Sequence, residues 1–180
     1  LCCAGGRAIG CRRRALATLA HEIRQHPPTV LTESQREHYL EHGFLLLPGF
    51  LPEPWLERLE LATAEAVEKA RHVTHEDVRP LGDALDAEQE ARHLDKYMLA
   101  EGHTAANPML TRLSAPVDYD ETFWAFASGF AADIASDLLG PNVRFHHSKL
   151  NFKWPGALER IHWHQDIQFW PHTNYTPLSA

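Results

Sequence analysis

His164 and Asp166, in the run Trp163-His164-Gln165-Asp166-Ile167, are the residues best placed to do chemistry. On an extended strand, side chains two residues apart point to the same face. That spacing sets an imidazole nitrogen beside a carboxylate oxygen. One His and one carboxylate so placed supply two of the three ligands of a 2-His-1-carboxylate triad, a donor set that suits Fe(II) and leaves positions open for substrate and oxygen. The bare triplet fits equally a strand carrying a surface His and a turn-forming Asp. The sequence runs on only to Ala180, so the remaining His of such a triad is expected outside residues 1–180.

The flanking residues extend the pattern. Ile161, Trp163, Ile167 and Phe169 fall on one face of the strand, and His162, His164, Asp166 and Gln168 on the other. A polar face of this kind suits a sheet interior that holds a metal or ligand, or an ordinary solvent face. His162 is a neighbour of the pair or a substitute third ligand. His172 follows Pro171 and is expected on a loop.

A second alternating run spans Val143–Lys153. Phe145, His147, Lys149, Asn151 and Lys153 share one face; Leu150, Phe152 and Trp154 share the other, which is expected to pack on helices. If the two strands are neighbours, Lys149 and Asn151 face the same interior as His164. An interior lined by Lys and Asn needs an anionic or polar ligand, because a buried unpaired ammonium is costly. The alternative is that the lysines guard an edge strand against aggregation; Lys153 is read that way and Lys149 as pocket-facing.

These strands must be held by helices, and the preceding sequence supplies them. Thr32 with Gln35 makes a capping box, and Gly43 stops the helix it opens. Phe44 to Leu47, ended by Pro48-Gly49, reads as a short buried strand. A second helix is expected over Glu53–Arg71, with Trp55, Leu56, Leu59, Ala62, Ala66, Val67 and Ala70 on its buried face. Residues 72–107 read as loops with a short helix near Leu94–Leu99. A third helical stretch is expected over Glu121–Leu139, with Phe123, Phe126, Phe130, Ile134 and Leu138 inward, a break near Gly129 and Gly140 as its stop. Helices thus come first and strands follow from Gly140. The other histidines show no paired ligand spacing, except His38 and His42, which are read as a solvated helix face.

Composition narrows the class. A chain of 180 residues can bury a core as one domain. Its net charge of −7 argues against a nucleic-acid partner, and no apolar run reaches the length of a membrane span. Cys2, Cys3 and Cys11 all lie at the start, so no disulfide can staple the body, and a reducing, cytoplasmic setting is expected. Asn174-Tyr175-Thr176 is read as a chance sequon. Residues 1–30 are rich in arginine and poor in acids, as transit peptides are, and Arg14 with His21 has the spacing of a peroxisomal signal without its apolar residues. They are read as a basic extension, disordered and dispensable for folding, and 31–180 as the domain.

Taken in order, Leu31-Thr32-Glu33-Ser34-Gln35, Tyr39, Gly43 to Leu51, Gly140-Pro141-Asn142, Lys153-Trp154-Pro155-Gly156, His164-Gln165-Asp166 and Phe169-Trp170-Pro171 resemble the phytanoyl-CoA dioxygenase family of Fe(II)- and 2-oxoglutarate-dependent oxygenases. The resemblance implies an α+β fold, N-terminal helices packed on a double-stranded β-helix of jelly-roll or cupin type, here cut short at its C-terminal end. It implies Fe(II) held by His164 and Asp166, 2-oxoglutarate as cosubstrate, and hydroxylation of a small organic molecule. It implies that Lys149 lines the cosubstrate site, with Asn151 on the same face. Arg112 falls where the family carries a basic residue near the cosubstrate, although a surface Arg in a loop fits the local sequence as well. The distal His, and the Arg that pairs with the far carboxylate of 2-oxoglutarate, have no match before Ala180, so residues 1–180 alone are expected to be inactive. Two other readings stand beside this one. A non-catalytic binding domain could keep the fold. A cupin-type metal enzyme is suggested by His162-Trp163-His164, but the Glu it needs downstream is absent.

Overall fold

The computed structural model describes residues 20–78, 97–155, 164, 178 and 179. They belong to two compact units. One contains residues 20–48 and 128–145; the other contains 49–78, 97–127, 146–155 and His164.

In the first unit, helix α1 (Glu33–His42) starts where its capping box requires. The Gln35 N–H donates to Thr32 Oγ1 at 3.2 Å, and the Thr32 N–H donates back to Gln35 Oε1 at 2.8 Å. Gly43 ends it in the left-handed conformation at φ 78°, its N–H bonded to the Tyr39 carbonyl. The one buried residue of α1 is Arg36, only 2 % exposed. Its Nη1 donates to the carbonyls of Ile23 and His26 in the segment before the helix. Residues 20–30, assigned from sequence to a disordered extension, therefore carry packed groups: Ile23 is buried, and Arg24 forks onto the Glu37 carboxylate at 2.8 and 2.6 Å. The packed unit begins before residue 31. Residues 1–19 lie outside those described.

The strand expected at Phe44–Leu47 does not form. The segment is extended without a ladder, and Phe44 and Leu46 are 54 % and 75 % exposed. An apolar run becomes a strand only if a neighbour pairs with its backbone. Instead the Phe44 ring sits edge-on to the stacked imidazoles of His38 and His42.

The second unit is a helix laid on a small sheet. Helix α2 (Glu53–Ala70) opens at Pro52 with a second proline in its first turn, which suits positions whose N–H groups lack intrahelical partners. Its buried row is Ala62, Ala66 and Ala70, spaced by four, and Leu56, expected inward, is largely exposed. Small residues on that row let the helix approach the sheet closely.

The sheet has strands β1 (Tyr97–Leu99), β2 (Leu110–Ser114) and β3 (Lys149–Asn151), all antiparallel, in the order β1-β2-β3. The helix expected near Leu94–Leu99 is thus a strand from Tyr97 on, because its partner lies in β2, beyond the reach of local periodicity. The long strand expected over Val143–Lys153 narrows to β3: residues 143–148 have no ladder partner beyond the bond from the Ala115 N–H to the Ser148 carbonyl. Ala66 and Ala70 meet Val73, Tyr97, Leu110 and Leu113 in one core, with Leu150 and Phe152 packed against it, as the alternation in that run requires. Trp154 closes the edge by donating from Nε1 to the Leu110 carbonyl at 2.7 Å.

Leu110 and Leu113 are both fully buried although a spacing of three should set them on opposite faces. A bulge resolves this. Met98 pairs with Arg112 and Leu99 with Leu110, so Thr111 is the extra residue, and its hydroxyl donates to the Met98 carbonyl.

Residues 121–139 are helical throughout, as expected. Helix α3 (Glu121–Phe126) is capped by Asp120; a π-helical turn (Ala127–Ala131) follows at Gly129, the expected break; helix α4 (Ala132–Leu139) ends at Gly140, φ 98°. Phe123 and Leu138 are buried. The Asp137 carboxylate near the end of α4 accepts three backbone N–H bonds, from Thr29, Val30 and Leu31, within the first unit.

Candidate functional site

Register fixes which residues share the sheet's second face. Leu113 opposite Leu150 belongs to the core face. The rows on either side therefore point away from it: Met98, Arg112 and Asn151 form one row across all three strands, and Ser114 opposite Lys149 forms the next. Three residues singled out in the sequence, Arg112, Lys149 and Asn151, are thus brought onto one face by the pairing of β2 with β3. The Arg112 Nε–H donates to Asn151 Oδ1 at 3.1 Å. Arg112 and Lys149 are half-buried and Asn151 is exposed. Arg112 lies in a strand, which removes the loop alternative.

Met98 was missed. It stands 47 % exposed in the row of Arg112, and once Tyr97–Leu99 is a strand, alternation alone puts it there. Its neighbour Tyr97 turns the other way, buried, and donates its hydroxyl to that of Tyr119 at 2.7 Å. Burial, then that bond, push the Tyr97 phenol well above its ordinary range. Lys69 covers the Tyr119 ring at 4.8 Å.

A shallow cleft elsewhere in this unit, about 280 Å³, is lined by Arg71, Val73, His75, His103 and Thr104 among others. Its strongest polar groups are already engaged. Arg71 forks onto Glu68 and donates to the Ala105 carbonyl. His103, nearly buried, has Nδ1 within hydrogen-bond distance of the Met109 backbone and Nε2 at 2.9 Å from the Val73 carbonyl.

His164 is exposed. Asp166, His162 and His172 lie outside the described residues. Imidazole and carboxylate are the donor chemistry Fe(II) takes in such sites, so the pair fits the metal as far as two ligands go. Among the described residues no group of three or more His, Cys, Asp or Glu could hold a metal ion. No helix among them is long and apolar enough to cross a membrane.

Helices over a small antiparallel sheet, with a His-x-Asp segment following in the sequence, make an α+β arrangement. Comparison with known proteins gives the family. The model of the phytanoyl-CoA dioxygenase (PhyH) family matches residues 39–179, and the chain belongs to that family. It is also 31 % identical over 146 residues to a protein of Stutzerimonas stutzeri described as a probable alpha-ketoglutarate-dependent hypophosphite dioxygenase. That match covers 81 % of this chain and 44 % of the relative, so the chain spans less than half of the relative's length. No solved structure matches it.

Proposed function

We propose that the chain is part of an Fe(II)- and 2-oxoglutarate-dependent oxygenase that hydroxylates a small molecule, built on a double-stranded β-helix of which β1–β3 are a portion. The observation that supports this best is the convergence of Arg112, Lys149 and Asn151 on one sheet face. Lys149 and Asn151 alternate along β3, and strand pairing brings Arg112 to them from 39 residues before Asn151. His164 and Asp166 would hold the metal, which with oxygen and 2-oxoglutarate supplies the oxidising power for hydroxylation. The chain's own part is to supply two of the ligands, to bind a carboxylate through the Arg112 and Lys149 cations, and to screen the site from water with the apolar residues beside them.

The substrate is a small molecule. The relative's name gives it an inorganic anion, which would share the charge complementarity of this face. The third metal ligand, and the Arg for the far carboxylate, belong in this reading to sequence outside residues 1–180, in keeping with the 44 % of the relative that is matched.

The test is succinate formation. With Fe(II), 2-oxoglutarate and oxygen, residues 1–180 alone give none above the metal-only background. The same residues within a chain extended to the relative's length give succinate that disappears in His164→Ala. Succinate from residues 1–180 alone, lost in His164→Ala, would show that they assemble a whole site. Succinate from the extended chain that persists in His164→Ala would place the metal elsewhere.

A further inference from the structure

We propose that Asn151 is a positioning residue for anion recognition: it holds the Arg112 guanidinium so that its outer edge is presented to a carboxylate. This rests on the reading that the sheet's polar face takes the cosubstrate.

The geometry carries the inference in three steps. Arg112 and Asn151 are direct cross-strand partners, the closest relation two side chains on neighbouring strands can have. The bond between them runs from Nε, which carries a single N–H and, like every guanidinium nitrogen, only donates, so the amide oxygen faces it and the amide Nδ2 points away. Among the described residues this is the one hydrogen bond the Arg112 guanidinium makes, and no carboxylate pairs with it.

A guanidinium offers two forks for a planar anion, a side edge through Nε and one Nη, and an end edge through both Nη atoms. Asn151 occupies the side edge. The end edge is left to a ligand, and the rotamer that aims it is already selected. Asn151 is neutral, so it orients the charge without cancelling it. An Asp or Glu at 151 would hold Nε better and remove the attraction. In a chain whose net charge is −7, a half-buried Arg steadied by an amide rather than an acid is a group kept ready for an outside anion. Asn151 then acts through Arg112 rather than on the ligand.

The role separates from a merely structural one in two measurements on the chain extended to the relative's length. The first is the affinity for 2-oxoglutarate in the presence of Mn(II), by calorimetry. The second is solvent exchange of the Arg112 Nε–H in ¹⁵N–¹H spectra. Asn151 is exposed, so its variants should fold, and the same spectra check that they do. Asn151→Ala should weaken binding about three- to tenfold, the range expected when one long side chain must be ordered by the ligand instead, and should speed Nε–H exchange. Asn151→Asp should keep the slow exchange yet weaken binding at least as much, because its carboxylate neutralises the guanidinium. Arg112→Gln should weaken binding more than either, and the double variant Arg112→Gln/Asn151→Ala no further than Arg112→Gln alone.

If Asn151→Ala leaves affinity and exchange unchanged, or if the two losses multiply in the double variant while Arg112→Gln is deficient, the positioning role is overturned and the cosubstrate site stands. If Arg112→Gln binds 2-oxoglutarate as the unsubstituted chain does, Arg112 is not in the cosubstrate site, and both fall together.

Discussion

The Leu31 N–H donates to Asp137 Oδ2 at 2.8 Å, a bond between residues 106 apart in sequence. The same carboxylate takes the N–H groups of Val30 and Thr29 and the Thr29 hydroxyl. It is a cap without a helix: one side chain near the end of α4 satisfies three consecutive backbone donors that enter α1.

That contact predicts an acid sensitivity. Burial acts to raise the Asp137 pKa, but the bonds from Leu31, Thr29 and Val30 outweigh it and hold the carboxyl below its ordinary value of 3.8. A group depressed on folding contributes stability that is fully present above the unfolded pKa and is lost as pH falls through the folded one. Melting temperature should therefore drop below about pH 4, more steeply than in Asp137→Asn. At neutral pH Asp137→Ala should cost about 2–4 kcal/mol, because buried donors lose a charged acceptor.

Removing residues 1–29 should destabilise the chain, against the expectation from composition. It deletes Ile23 from the core, the Glu37 partner Arg24, and both carbonyls that receive Arg36 Nη1, leaving a guanidinium 2 % exposed without its acceptors. The loss should be on the order of 3 kcal/mol or more, which at this size is about 6–12 °C in melting temperature. A chain beginning at Ala20 should escape most of that loss, and equal melting of the two shortened chains would contradict the packing.

Metal binding should depend on His164 and Asp166. His164→Ala and Asp166→Ala should each lower Mn(II) affinity by more than the roughly 10–100-fold typical of losing an outer partner. Arg112→Gln should leave the metal affinity in place. Electron paramagnetic resonance of Mn(II) titrated into each variant reads this directly.

The bulge at Thr111 makes a deletion test. Without Thr111 the β1–β2 register becomes regular, and Leu110, then two places from Leu113, stays on the core face opposite Leu99. The deletion should therefore be milder than Leu113→Ala, itself expected to cost about 2–5 kcal/mol as a fully buried leucine. Urea denaturation of both orders them.

Tyr97→Phe should change the alkaline limb. The raised Tyr97 phenol stabilises the fold fully below its unfolded pKa of 10.0, and that stability is lost as pH rises beyond it towards the folded value. Above about pH 10 the unsubstituted chain should lose stability faster than Tyr97→Phe. Below it the variant should be weaker by about 0.5–1.5 kcal/mol, the worth of one hydrogen bond.

Much of this was legible in the sequence where the signal is local. The Thr32–Gln35 box, the Gly43 and Gly140 stops, the π-helical break at Gly129 and the span of α2 all depend on residues within a turn or two of each other. Alternation in Lys149–Asn151 and Leu150–Phe152 also told which side faces the core. The sequence by itself determined the helical stretches within residues 33–42, 53–70 and 121–139 and pointed to the family. Tertiary structure alone decided which extended runs became strands, because a strand exists only through its partner: Tyr97–Leu99 gained one and Phe44–Leu47 did not. It alone set Met98, Arg112 and Asn151 in one row by strand pairing, and put Leu110 with Leu113 in the core through a bulge that no periodicity announces. It also decided that residues 20–30 belong to the fold, since the groups that hold them, Arg36 and Asp137, are charged residues that a hydrophobic pattern reads as surface.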